Sequence, residues 1–119
     1  MSYPDIVYHM AHQSDWEAAL ASGQYEGSPD DKRDGFIHLS GPSQIRGSAN
    51  KHRAGQKDLL LITFEAAKLP KLIWEANAPG GMEFPHHYGP IDPSLATKAE
   101  PLPLDEAGLH VFPLDVPLT

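Results

Sequence analysis

The sequence predicts a single α+β domain over residues 1–119, with two helices in the N-terminal half and five or six strands. Three observations lead there. The chain has 119 residues, the size of one domain and enough to bury a core without covalent staples. Its first half carries two helix signatures, one around Ser14-Asp15-Trp16-Glu17 and one opening at Pro42. The remainder is a series of short apolar runs, and the 10 glycines and 12 prolines of the chain mark frequent turns between short elements.

Taken in order, Ile6 to Met10 reads as a first strand, with Val7 and His9 on one face and Ile6, Tyr8 and Met10 on the other. Ser14 and Glu17 stand three apart, a capping-box spacing that predicts a helix with Ser14 as N-cap. That helix ends at Gly23, with Trp16 and Leu20 on one face. Residues 25–34 are polar, contain Pro29 and read as a loop. A buried strand follows around His38. Pro42 at the first helical position predicts a second helix, ending at Gly55, with Ile45 and Ala49 at helical spacing. Gly47 inside it points to a weak helix or to a close neighbour.

Leu59 to Phe64 is continuously apolar and reads as a central strand. Residues 65–70 form a turn, and Leu72 to Glu75 another strand with Ile73 and Glu75 on one face. After the Ala78-Pro79-Gly80-Gly81 turn, the two prolines and the glycine of Phe84-Pro85-His86-His87-Tyr88-Gly89-Pro90 predict an irregular conformation around a His-His-Tyr cluster. Leu95 to Leu102 reads as a strand interrupted by Pro101. Leu109 to Phe112 reads as a last strand near a sheet edge.

The functional reading centres on Gly35-Phe36-Ile37-His38-Leu39-Ser40-Gly41-Pro42. Ile37 and Leu39 point one way and Phe36, His38 and Ser40 the other. A histidine on a buried strand needs a partner or a ligand, because unpaired burial costs about 1–3 kcal/mol. Ser40 falls at a strand-to-helix turn, where a helix start offers unpaired N–H groups to an anion. Arg46 lies one turn on, so the expected anion site comprises Ser40, His38 and Arg46. His9, His38 and Glu75 are polar groups on three predicted strands and would line one cleft if those strands are neighbours, an arrangement suited to a ribose or amide. Tyr8, His86 or His87, and Tyr88 are expected to contact the ligand in its wall.

Composition limits the partners. The formal charge is −7, which argues against non-specific nucleic-acid binding. Between Gly41 and Lys57, however, the chain carries Arg46, Lys51, Arg53 and Lys57 and no acid, a local patch suited to a small anionic or nucleotide ligand or to a solvated helix face. There is no cysteine, hence no disulfide or thiolate metal site. The seven histidines show no metal-ligand spacing. No apolar run reaches the length of a membrane span and the N-terminus has no signal-peptide pattern, so a cytoplasmic protein is expected. Ser40 lacks a nucleophile-elbow pattern, leaving a Ser-His-Asp hydrolase with little support.

Tyr8-His9, Trp16, Gly35 to Ser40, Trp74-Glu75 and Phe84 to Gly89 together resemble the small bacterial and plant family called domain of unknown function 952, over nearly the whole chain. That resemblance implies no activity. Tyr8-His9, the helix to Gly23 and His38-Leu39-Ser40 also bear a more distant likeness to the ADP-ribosyltransferase fold, in its RNA 2′-phosphotransferase branch. This second resemblance implies a split, curved, mostly antiparallel sheet. It implies an NAD-like dinucleotide or related phosphate ester as ligand, with His9 at a ribose and His38 in the nicotinamide or phosphate pocket. Met10-Ala11 stands where that branch has Gly-Thr, and Glu75 matches its late catalytic glutamate by position only. Three functions stay open: a transferase or hydrolase using His38, Glu75 and His9 on a nucleotide-type ligand, a non-catalytic binding module for a small anion or nucleotide, and a protein whose histidines are purely structural. A metal-binding protein is the further alternative.

Overall fold

The computed structural model describes residues 3–76 and 78–116. Nine regular elements follow in order: β1 (Ile6–His12), α1 (Gln13–Ser22), α2 (Pro29–Asp34), β2 (Ile37–His38), α3 (Ile45–His52), β3 (Leu59–Glu65), β4 (Leu72–Ala76), β5 (Glu83–His87) and β6 (Ala96–Pro101). They form two antiparallel three-stranded sheets, ordered β1-β3-β6 and β2-β5-β4. The sheets meet where Tyr8 and Ser40 exchange backbone hydrogen bonds, both 2.8 Å. This is the expected α+β class, with one helix more than the sequence predicts.

The central strand, β3, is apolar at Leu59 to Ile62 and at Phe64 because its sheet is covered on both faces. Ile62 and Phe64 join Val7, Ala11, Trp16 and Ile37 in one core, between this sheet, α1 and the second sheet. Leu59 and Leu61 face the other way and pack with Ile45, Ala49, Phe112 and Val116. His9 shares the first face with Val7 and Ala11, and so is buried in the core.

Several local expectations are corrected. Ser14 does not cap α1: β1 runs directly into the helix, His12 occupies the N-cap, and Gln13 N–H is met by Asp58 carbonyl at 2.8 Å. A tertiary acceptor thus replaces the local cap. Trp16 is buried with Ala19, while Leu20 is exposed. Residues 25–34 are not all loop, since α2 occupies their second half. α3 starts at Ile45 rather than at Pro42, because Gly41 and Gln44 close a turn on themselves: Gln44 Oε1 accepts from Gly41 N–H and Gly41 carbonyl accepts from Gln44 and Ile45. Gly47 has open space around it, so neither a close neighbour nor a break explains it. Leu109 to Phe112 forms no strand, only a single bridge between Leu104 and His110.

The stretch from Phe84 to His87 is also regular, although Pro85 sits in the middle strand of its sheet. Pro85 carbonyl accepts from Leu39 N–H at 3.0 Å. The amide and carbonyl of one antiparallel residue point to the same side, so the missing donor faces β2, which is only two residues long. The ladder toward β4 loses nothing.

Candidate functional site

The site is built on α2, and α2 is built on Ser28-Pro29-Asp30-Asp31. Ser28 Oγ accepts from Asp31 N–H at 3.3 Å, and Asp31 Oδ2 accepts from Ser28 N–H at 2.8 Å. This is a complete capping box, with Pro29 at the first helical position and Gly35 closing the helix at φ 86°. Asp31 is thereby fixed in the interior, 2 % exposed. Its other oxygen, Oδ1, accepts from His38 N–H at 3.1 Å and from His38 Nδ1 at 2.6 Å. Burial alone would raise the Asp31 pKa, but the His38 ring, the nearby His9 and the backbone donors of Ser28 and His38 reverse this and hold it at about 2. The carboxylate is ionised, buried and satisfied.

His38 gains from the same contact. Its hydrogen bond to Asp31 raises its pKa, partial burial opposes this, and the charges of Asp31 and Asp34 add to the rise. Its Nε2 lies 3.1 Å from Asp34 Oδ2, one turn away on α2. The ring is 39 % exposed: its Nδ1 edge is locked to buried Asp31 and its Nε2 edge meets the part-exposed Asp34.

His9 is the inner support. Its Nδ1 lies 2.6 Å from His38 carbonyl, which can only accept, so Nδ1 carries the proton. Its Nε2 therefore accepts from Tyr25 O–H, also at 2.6 Å. Burial lowers its pKa below the ordinary histidine value, more than neighbouring Asp31 raises it. At neutral pH His9 is thus an uncharged brace with both ring nitrogens occupied. The ribose contact that the distant resemblance implies for it has no free nitrogen to make.

A second histidine–carboxylate group faces the first. The register pairs His38 with His86 and, on the other side, His86 with Ile73, which brings Glu75 to the same face. His86 Nδ1 donates to Glu75 Oε1 at 2.8 Å, and Tyr88 O–H donates to the same oxygen. The Tyr88 bond, then the His86 bond, lowers the Glu75 pKa, and the carboxylate raises that of Tyr88. Phe36 lies flat on His86 with centroids 4.0 Å apart, and the His38 and His86 rings stand edge to face at 5.6 Å.

These groups line one cleft of about 310 Å³, between α2, α3 and the junction of the two sheets. Tyr8, Met10, Leu39, Ile45 and Phe84 supply apolar surface, and Ser40, Ser48, His52 and Arg53 supply polar atoms. Of the residues expected from the sequence, His9, His38, Ser40, Tyr8 and His86 border it. Glu75 and Tyr88 do not line it; Glu75 holds His86 from behind and Tyr88 holds Glu75.

Two further expected residues do not point there. His87 alternates to the opposite face of β5, opposite Ile37, where its Nδ1 donates to Gly89 carbonyl at 2.8 Å and its Nε2 is buried without a partner among the described residues. Arg46 lies over the Phe112 ring and donates to Val116 carbonyl at 2.8 Å. The later start of α3 rotates it onto the second core instead of toward Ser40. Ser40 O–H donates to Ser48 Oγ at 3.2 Å. Asp31, Tyr25 and Arg53 are the site residues that sequence reasoning missed as such. The Ser28-Pro29-x-Asp31 capping pattern could have found the first. Among the described residues no group of three or more histidines or carboxylates is arranged to hold a metal ion, and no helix is long and apolar enough to cross a membrane.

Residues 10–99 match the family model described as "Protein of unknown function (DUF952)". The chain belongs to the DUF952 family. Among solved structures, this DUF952 chain is similar to protein CC0527 from Caulobacter crescentus. The crystal structure of CC0527 is 41% identical with a TM-score of 0.83, over 89% of this chain and 93% of that one. Its solution NMR structure is 42% identical with a TM-score of 0.78, over 88% and 90%. No curated protein matches the chain. The DUF952 stretch runs from the end of β1 into β6 and so includes the capping box, both histidine–carboxylate groups and α3.

Proposed function

We propose that this DUF952 protein is a hydrolase or transferase acting on a phosphate ester of a nucleotide-type ligand, with His38 as proton donor. The observation that carries the reading is the Asp31–His38 pair: a buried, ionised carboxylate holds one edge of an imidazole whose Nε2 edge, beside the part-exposed Asp34, borders the cleft. Such a pair shifts the ring toward its protonated form and fixes its direction, both of which suit a general acid.

In the hydrolytic version, water attacks phosphorus and the bond from phosphorus to the leaving oxygen breaks. His38 gives a proton to the leaving oxygen. His86, whose Nδ1 is held by Glu75, takes the proton from water at Nε2. Exchange with solvent then restores both rings. The likeness of Tyr8-His9 and His38-Leu39-Ser40 to the ADP-ribosyltransferase fold supports the nucleotide part of the reading, and a cytoplasmic setting goes with it.

Binding without chemistry is the second reading. It is favoured by the Phe36 stack on His86, which covers one face of a ring that is only 2 % exposed.

The experiment is phosphate-ester turnover across nucleoside 2′-, 3′- and 5′-phosphates, cyclic nucleotides and NAD, followed by phosphorus NMR, for wild type and His38→Ala. Turnover that falls about 100-fold or more in a folded His38→Ala variant supports the acid role. Binding with no turnover selects the second reading. Neither binding nor turnover ends both.

A further inference from the structure

The cleft contains a cation whose donors the protein leaves largely unused. Arg53 is the C-cap of α3, and its backbone is pinned by His110 Nε2, which donates to Arg53 carbonyl at 2.7 Å. Its side chain is only 18 % exposed, low for a group that carries five N–H donors. Only Nη1 is engaged: it donates to His52 carbonyl at 3.2 Å and stands 3.6 Å from Asp30 Oδ2, beyond good hydrogen-bond length. Nε and Nη2 have no hydrogen-bond partner among the described residues.

The other arginines near the site differ. Arg33 is 68 % exposed and bonded to Asp34 and Asp30, and Arg46 is held at Phe112 and Val116. The Arg33 contact also keeps Asp30 compensated if Arg53 turns from it. On the same wall, Ser48 Oγ accepts the Ser40 proton, which leaves the Ser48 proton without an acceptor among the described residues. A guanidinium fork and a hydroxyl, both with free donors and both lining the cleft, match an oxyanion group with several acceptor oxygens.

Size narrows the ligand. About 310 Å³ is at the lower end for small-molecule sites. It accommodates a mononucleotide, whereas a dinucleotide would leave one half outside.

We infer that Arg53, with the Ser48 hydroxyl, holds the phosphate of a mononucleotide-sized ligand in the His38 cleft. This rests on the nucleotide reading above and moves the anion contact from Arg46 to Arg53.

The test is calorimetric titration of the full chain with adenosine 5′-monophosphate, adenosine and NAD, for wild type, Arg53→Gln and Arg53→Lys, with amide NMR spectra to verify the fold. Wild type should prefer the monophosphate to adenosine about tenfold to a hundredfold, the range of a charge-assisted hydrogen-bond set. NAD should bind no tighter than the monophosphate. Arg53→Gln should reduce the monophosphate to the adenosine level and leave adenosine unchanged, and Arg53→Lys should fall between. Equal weakening of both ligands in Arg53→Gln, or no weakening of either, overturns the Arg53 assignment while the nucleotide reading stands. Wild type that binds neither ligand at millimolar concentration overturns both.

Discussion

Asp31 Oδ1 accepts from His38 twice, from the backbone amide at 3.1 Å and from ring Nδ1 at 2.6 Å. One buried oxygen therefore sets both the position of the β2 backbone and the direction of the imidazole. The second oxygen is held by the amide of Ser28, which makes the cap of α2 part of the same unit. Asp31 gives the site its charge and its geometry together.

Replacing Asp31 by Asn separates these roles. The amide can still accept from His38 through its oxygen, but its NH₂ then faces Ser28 N–H, donor against donor. The expected cost is about 1–3 kcal/mol in urea unfolding. The His38 pKa, followed by ring-proton NMR, should drop relative to wild type, because the carboxylate that raises it is gone. An unchanged His38 titration would remove Asp31 from the account of the site.

Stability against pH follows from the same groups. Asp31 is held at about 2 against a reference of 3.8. Its contribution is present above 3.8 and fades as pH falls from about 5 toward about 2, an effect of about 2 kcal/mol. His9 and His87 are both lowered by burial. They add stability above the reference value of 6.5 and lose it below, where the unfolded chain binds protons that the folded chain refuses. His38 is raised and acts in reverse: its contribution is present below 6.5 and lost as pH rises through its folded value. His87→Leu removes one of the acid-sensitive histidines and the unpartnered Nε2. Urea midpoints at about pH 7.5 and about pH 5 should thus show a smaller acid loss than wild type. An identical profile would place the acid sensitivity elsewhere.

Tyr25→Phe deletes the donor to His9 Nε2 and leaves that nitrogen buried. The expected loss is about 1–3 kcal/mol, with the ring's packing on Trp16, at 5.4 Å between centroids, retained. A variant as stable as wild type would show that the Tyr25 hydroxyl contributes nothing net to the brace.

Two glycines offer a matched comparison. Gly23 and Gly27 both have positive φ, 85° and 94°, so alanine is strained at each. A Cβ at Gly23 meets nothing within 4 Å, whereas at Gly27 it would stand 2.7 Å from Asp31 Cβ. Gly23→Ala should cost about 1 kcal/mol. Gly27→Ala should cost clearly more and should also shift the His38 ring resonances. Equal costs and an undisturbed His38 would show that α2 yields freely, against its role as a rigid mount.

The composition and local patterns of this chain determine its class and much of its element order. The apolar run of β3, the Gly23 stop of α1 and the period-two placement of Phe36 and His38 are local, and each is legible because one residue's conformation or facing follows from its neighbours. The partner of His38 is not local in that sense. Asp31 lies seven residues away, within a stretch that looks like a polar loop until Ser28, Pro29 and Gly35 are weighed as caps. Only the tertiary structure decides that Ser14 is not a cap, since Asp58 supplies the acceptor that Gln13 needs. It alone decides that Arg46 faces Phe112 while Arg53 faces the cleft, because the start of α3 depends on the turn at Gly41 and Gln44. A turn in place of the first helical residues changes the direction in which the later side chains leave the axis. Which cation reaches the site is therefore set by a turn, and the turn is stabilised by contacts that no periodicity in the sequence records.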